Sequence, residues 1–123
     1  MILYINTTKN SSQVIELKII DKQKVLFKKE IKAQYKQAEK LLPGIKKLLD
    51  NNKIKLSDIK KIQVENKGGS FTALRIGVAT ANALGYALNI SVIDNKGKIA
   101  KNKKISIIKP IYSKEPNITT PVD

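Results

Sequence analysis

Apolar positions fall into two rhythms along the chain. Short runs with partial alternation predict strands over residues 2–6, 13–20, 25–31, 62–65 and 89–94, with a further one over 104–109. The polar tetrad Asp21-Lys22-Gln23-Lys24 predicts a hairpin, so the first three strands form an antiparallel meander. A 3.6-residue rhythm of Tyr35, Ala38, Leu41, Leu42, Ile45, Leu48 and Leu49, with lysines opposite, predicts a helix over 32–51, bent at Pro43-Gly44. Residues 55–59 read as a connecting turn with one helical turn capped by Ser57. A second helix follows Gly68-Gly69, with Ser70 or Thr72 as its N-cap and Leu74, Val78, Ala81, Leu84 and Leu88 on one apolar face. The prolines after residue 109 predict an extended tail.

The order β-β-β-α-β-α-β predicts an α/β fold: one mixed five-stranded sheet with helices packed on it. The domain is expected over residues 1–109, with the tail over 110–123.

Residues 67–88 concentrate the unusual features. They hold four of the six glycines and the lone arginine, Arg75. Each glycine inside a helix costs about 1 kcal/mol against alanine, so Gly77 and Gly85, spaced by four from Ala81, require a reason. Small residues at that spacing let another backbone approach closely, either a sheet beneath or a partner helix outside. The glycine turn before a helix also suggests a phosphate cradle. It lacks the Lys-Ser/Thr pair of a P-loop and any GxGxxG.

Composition narrows the chemistry. There is no cysteine and no histidine, which removes disulfides, thiol chemistry, and the commonest general base and metal ligand. The carboxylates Asp21, Glu30, Glu39, Asp50, Asp58 and Glu65 form no acid–base pair by spacing; Glu65, beside the glycines, is the one placed suggestively. Ser70 has no histidine to activate it and no GxSxG elbow. No catalytic residue, metal or cofactor is therefore expected. The net charge of +14 comes almost wholly from lysines spread over every segment. With aromatics at 5%, that pattern predicts nonspecific, salt-sensitive attraction to RNA without sequence reading, or a plain compositional bias. No run reaches transmembrane length and the start lacks a charged leader, so a cytoplasmic protein without membrane contact is expected.

The segment ENKGGSFTALRIGVATANALGYAL resembles the signature of the TsaB (YeaZ-like) family, GxGPGSFTGLRIGVATAKGLA. Gly69, Ser70, Phe71, Thr72, Leu74, Arg75, Ile76, Gly77, Val78, Ala79, Thr80 and Ala81 match in place; Lys67-Gly68 replaces Gly-Pro, and Ala73 replaces Gly. The opening ILYINT is similar to the family's ILaIDTs, Lys40-Leu41-Leu42-Pro43 to its LLP helix, and residues 108–116 to its C-terminal PxYLRxP. The resemblance covers about residues 1–94 and 108–118, with the family's second subdomain absent between them.

The resemblance implies a ribonuclease-H-like subdomain of the actin-like ATPase class. It implies a non-catalytic subunit that assists TsaD in making threonylcarbamoyladenosine on tRNA, with a TsaE-like ATPase as a further partner and a homodimer when alone. Asn6 stands where actin-like ATPases carry a metal-positioning aspartate, and Gln37 lies near a family histidine. Family members pair through two helices. The implied partner face comprises Gln34, Ala38, Leu41, Leu42 and Ile45 of the first helix and Leu74, Gly77, Val78, Ala81 and Gly85 of the second. Gly68, Gly69, Ser70, Phe71, Thr72 and Arg75 form the signature turn. Two rival readings stand beside this one: a basic RNA-binding module touching tRNA, and a vestigial nucleotide-binding domain around Asn6-Thr7 and Gly68-Gly69.

Overall fold

The computed structural model describes residues 1–97. The strand expected over 104–109, the tail over 110–123 and the resemblance over 108–118 lie outside the described residues. Strand β1 (Ile2–Thr8) is followed by a four-residue left-handed turn, α1 (Lys9–Ser12), then β2 (Val14–Asp21) and β3 (Lys24–Lys32). Helix α2 (Gln37–Asn51), a 3-10 turn (Leu56–Asp58), β4 (Lys61–Val64), helix α3 (Phe71–Leu88) and β5 (Ser91–Ile93) complete the order. The sheet runs β3-β2-β1-β4-β5. The β1–β2 and β2–β3 pairs are antiparallel, and β1–β4 and β4–β5 are parallel. This is the mixed five-stranded α/β sheet that the pattern of apolar runs predicts.

Alternation along the strands sorts the sheet into two faces. Leu3, Ile5 and Thr7 of β1 align with Ile19 and Leu17 of β2 and with Ile62 and Val64 of β4, and all are buried. Both helices lie on this face. Leu41, Ile45, Leu48 and Leu49 of α2 and Leu74, Val78 and Ala81 of α3 close the core over it. The hairpin between β2 and β3 holds Lys22 and Gln23 at φ 51° and 66°, the left-handed pair that a two-residue turn requires. Val25, Leu26 and Phe27 are exposed on the edge strand β3, where a register shift opposite Ile19/Ile20 and flanking lysines discourage further strand pairing.

Three expectations need correction. The first helix begins at Gln37, not residue 32. Lys32 ends β3, the Ala33 amide donates to the Gln13 carbonyl, and Lys36 closes a turn on Ala33. Tyr35 matches the helical rhythm by spacing, but it sits in that turn at φ 62° and is 89% exposed. The fifth strand begins at Ser91, because Asn89 is the left-handed cap that ends α3, at φ 57°. Ser57 caps nothing: the 3-10 turn is closed by the Asp58 carboxylate accepting from the Lys55 amide at 2.9 Å. Pro43 lies inside α2, where the sequence places it, and the adjacent Gly44 lets the helix settle on Ile31 and Leu17.

Candidate functional site

Two places merit the test of function: the carboxyl ends of β1 and β4, where ligands bind in open α/β sheets, and the outward surface of the two helices.

At the first place the chain folds upon itself. Asn6 ends the inner part of β1, and its side-chain oxygen accepts from the Thr8 amide at 2.9 Å and the Thr8 hydroxyl at 3.1 Å. Asn10, Ser11 and Ser12 are all left-handed, at φ 55°, 55° and 68°, and bring Ser12 inward. The Ser12 hydroxyl accepts from the Ser70 amide at 2.8 Å, and its carbonyl accepts from the buried Gln37 side chain at 2.6 Å. Ser70 is the N-cap of α3, as the sequence predicts, and its hydroxyl accepts from the Ala73 amide at 3.1 Å. Thr7 donates its hydroxyl to the Ala73 carbonyl at 2.6 Å.

The Ser70 and Ala73 amides and the Asn6, Thr7 and Ser12 side chains are thus committed to one another. A hard cation wants several oxygen ligands. Among the described residues no group of three or more His, Cys, Asp or Glu side chains could hold a metal ion. These residues offer no carboxylate set for a metal ion. The signature turn reads instead as a joint between the β1–β2 loop and α3. Gly68 and Gly69 adopt φ 86° and 74°, and Phe71 lies under the Arg75 guanidinium, 5.3 Å from its ring centre. Thr72 and Arg75 are exposed.

Beside this joint, on the sheet face away from the helices, two lysines meet two glutamates. Lys9 donates to Glu16 at 2.7 Å and to Glu30, and Lys28 lies 3.2 Å from Glu16 and 3.4 Å from Glu30. Burial alone would raise the Glu16 carboxyl, but the bonds from Lys9 and Lys28 outweigh it and hold the group below its ordinary 4.5. Glu30 is held low by Lys9 and then Lys28, and Lys9 is raised by the same two bonds. Tyr4 is pushed up to about 12 by burial and by Glu65 and Glu16, with Lys18 over its ring at 5.1 Å. Glu65 is pushed up by burial.

The two depressed carboxyls contribute stability that is present above pH 4.5 and lost as pH falls through their folded values; Glu65 acts with the opposite sign. Urea midpoints measured from neutral pH downward should therefore fall below pH 4.5. Glu16→Gln should flatten that fall, and an unchanged acid limb in the variant would refute the assignment.

The helix surface differs from the one implied by family resemblance. Leu41, Ile45, Leu74, Gly77, Val78, Ala81 and Gly85 all face the sheet and are buried. A Cβ on Gly77 would overlap the Thr7 hydroxyl and lie 2.9 Å from its methyl, and one on Gly85 would overlap Val92. The small-residue stripe thus answers the close approach of β1 and β5, not of a partner helix. Of the ten residues, Gln34, Ala38 and Leu42 are exposed, and Gln34 precedes the helix.

The uncovered surface lies opposite that stripe. Ala79, Ala83, Tyr86 and Ala87 point outward along α3, and Tyr86 is 70% exposed. Arg75 is the single charged residue in this 18-residue helix. Next to it, a groove of about 440 Å³ runs between α2 and α3, lined by Leu42, Ile45, Leu49, Ile54, Leu56 and Leu84 among others, and Leu42 and Leu56 are about half exposed. The sequence carried this signal, since positions opposite the buried stripe are alanines where α2 has lysines.

Comparison with known proteins places the chain. The profile described as TsaD, tRNA N6-adenosine threonylcarbamoyltransferase, matches residues 30–95, more than half of the 123. The chain belongs to this family. Within it the chain is TsaB/YeaZ-like. It is 34% identical over 71 residues to the tRNA threonylcarbamoyladenosine biosynthesis protein TsaB of Buchnera aphidicola subsp. Schizaphis graminum (strain Sg), a match covering 58% of this chain and 34% of that protein. YeaZ from Pseudomonas aeruginosa superposes with TM-score 0.67 and 24% identity over 76% of this chain and 42% of its own. A second structure, of an uncharacterized protein with similarity to peptidase YEAZ from the same organism, gives the same score and identity over 41% of its chain. The chain thus spans about a third of the curated relative's length. Among the described residues no helix is long and apolar enough to cross a membrane.

Proposed function

We propose that this chain is a non-catalytic docking subunit for a TsaD-family catalytic subunit in the threonylcarbamoyladenosine modification of tRNA. The observation that carries the reading is the outer face of α3, an uncovered surface of Ala79, Ala83, Tyr86 and Ala87 on a protein of net charge +14. Exposed apolar surface of this kind suits a protein–protein contact, and small side chains let a partner helix approach closely. The match to the TsaD-family profile and the name of the Buchnera relative support this choice of partner class and pathway.

The non-catalytic part of the reading rests on chemistry: no histidine or cysteine in the chain, a serine at residue 70 committed as a cap, and an Asn6 side chain that accepts from the Thr8 amide and hydroxyl. Activity then resides in the partner, and this chain orients or stabilises it.

Size-exclusion chromatography with light scattering, on the chain alone and mixed with a TsaD-family subunit of the same organism, tests the pairing. A mixed species containing both chains, persisting at high salt because the contact is apolar, is the expected outcome. A mixture that elutes as two separate proteins, or a homodimer that excludes the second subunit, refutes it.

A further inference from the structure

Charge on α2 is divided between its two flanks. The flank toward α3 carries Leu42, Ile45 and Leu49 beside a self-neutralised pair, Lys46 donating to Asp50 at 2.9 Å, whereas the flank toward the edge strand carries Lys40, Pro43 and Lys47. Between this second flank and β3 lies a cleft of about 500 Å³. Its floor is Ile31, Pro43 and Gly44, with Gly44 seated against Ile31. Four lysines line it: Lys29 and Lys32 from β3, and Lys40 and Lys47 from α2. The Lys40 ammonium donates to the Lys32 carbonyl at 3.0 Å, so one strut fixes the spacing of the two walls. Two carboxylates also line it, and Glu30 is already held by Lys9 and Lys28. Glu39 alone is left to oppose four cations.

From this we infer that the β3–α2 cleft is a binding site for the phosphate backbone of RNA. A compositional excess of lysine spreads charge without regard to the fold. Here the lysines converge on a concave surface, and α3 carries none. Lysines act as point charges that neutralise phosphates without reading bases. The absence of aromatics among the lining residues agrees with backbone contact and argues against base stacking. The cleft lies on the flank of α2 away from α3, so the site does not depend on the docking reading, and a partner on α3 leaves it open.

The test is fluorescence anisotropy of a short fluorescein-labelled RNA hairpin with the full chain, at several salt concentrations. Four phosphate contacts give a log–log salt slope of roughly 3. Lys32→Glu/Lys47→Glu takes one lysine from each wall; it should weaken binding by more than about tenfold and lower the slope by roughly 1.5. Lys60→Glu/Lys61→Glu makes the same change in net charge at exposed positions on and before β4, and should cost less than about threefold. The neutral pair Lys32→Gln/Lys47→Gln, which introduces no new charge beside Glu39, should show the same loss of slope with an unchanged circular dichroism spectrum. Equal losses from the two reversed pairs would overturn the site, because attraction would then follow net charge alone. Anionic phosphatidylserine vesicles bound through Lys32 and Lys47, with no binding of the hairpin, would overturn it in favour of a membrane surface.

Discussion

Gly69→Ala is expected to be among the most damaging single-methyl changes in the chain, whereas Gly68→Ala one residue earlier is mild. Both glycines are left-handed, at φ 74° and 86°. An L-residue there costs roughly 1–2 kcal/mol. At Gly68 nothing lies within 4 Å of the added Cβ, so that cost stands alone. At Gly69 the new carbon would overlap the Thr8 Cβ, with the Thr8 methyl at 2.5 Å and the Ser12 hydroxyl at 2.9 Å. Thr8 cannot retreat easily, since its amide and hydroxyl are both held by Asn6. Ser12 holds the Ser70 amide. Overpacking of this sort adds about 1–3 kcal/mol. The sum is about 3 kcal/mol for Gly69→Ala, against a typical total of about 5–15. With a urea slope of about 2 kcal/mol per molar, the midpoint should fall by about 1.5 M for Gly69→Ala and about 0.5 M for Gly68→Ala. Equal shifts would mean that the joint between the β1–β2 loop and α3 is not packed as described.

Ala83→Glu is expected to leave the fold intact and to weaken the complex with a TsaD-family subunit by more than 100-fold. The position is exposed, and glutamate is only a few tenths of a kcal/mol poorer than alanine within a helix. In a docked complex the carboxylate would be buried without a partner, which costs about 3–5 kcal/mol, and 2.8 kcal/mol is already a factor of 100. Tyr86→Ala removes an aromatic anchor and should cost about 2 kcal/mol, roughly thirtyfold. Calorimetric titration of the two variants reads both numbers. Leucine at position 77 or 81 (Gly77→Leu, Ala81→Leu) would instead lose the complex by losing the core, since both positions are buried against the sheet.

Spacing along the chain reveals local features and is blind to the groups that the fold brings against them. Alternating runs were enough to place β1, β2 and β3, and Ser70 before an apolar stripe marked the start of α3, because these features are local. The small-residue stripe was legible as a close approach, but the approaching group was not. Thr7 and Val92 are distant in sequence from Gly77 and Gly85, and only the sheet brings them together. Tyr35 fitted the helical rhythm yet lies in a turn, because the pairing of β3 with β2 through Lys32 extends the strand past the point where spacing suggests a helix. The lysine cleft was invisible for a similar reason: β3 and α2 each carry ordinary surface lysines, and the concavity between them is tertiary. Gln37, marked only by its position near a family histidine, is a structural strut to Ser12.

The central claim is that a partner covers the outer face of α3, and the absence of cysteine makes it directly measurable. A single thiol introduced as Ala83→Cys, or as Lys47→Cys on the opposite flank of α2, can be timed for its reaction with a thiol reagent, with and without the TsaD-family subunit. The account predicts that the subunit slows reaction at position 83 by at least about tenfold and leaves position 47 unchanged. A thiol at position 83 that reacts as fast in the complex as alone would contradict it.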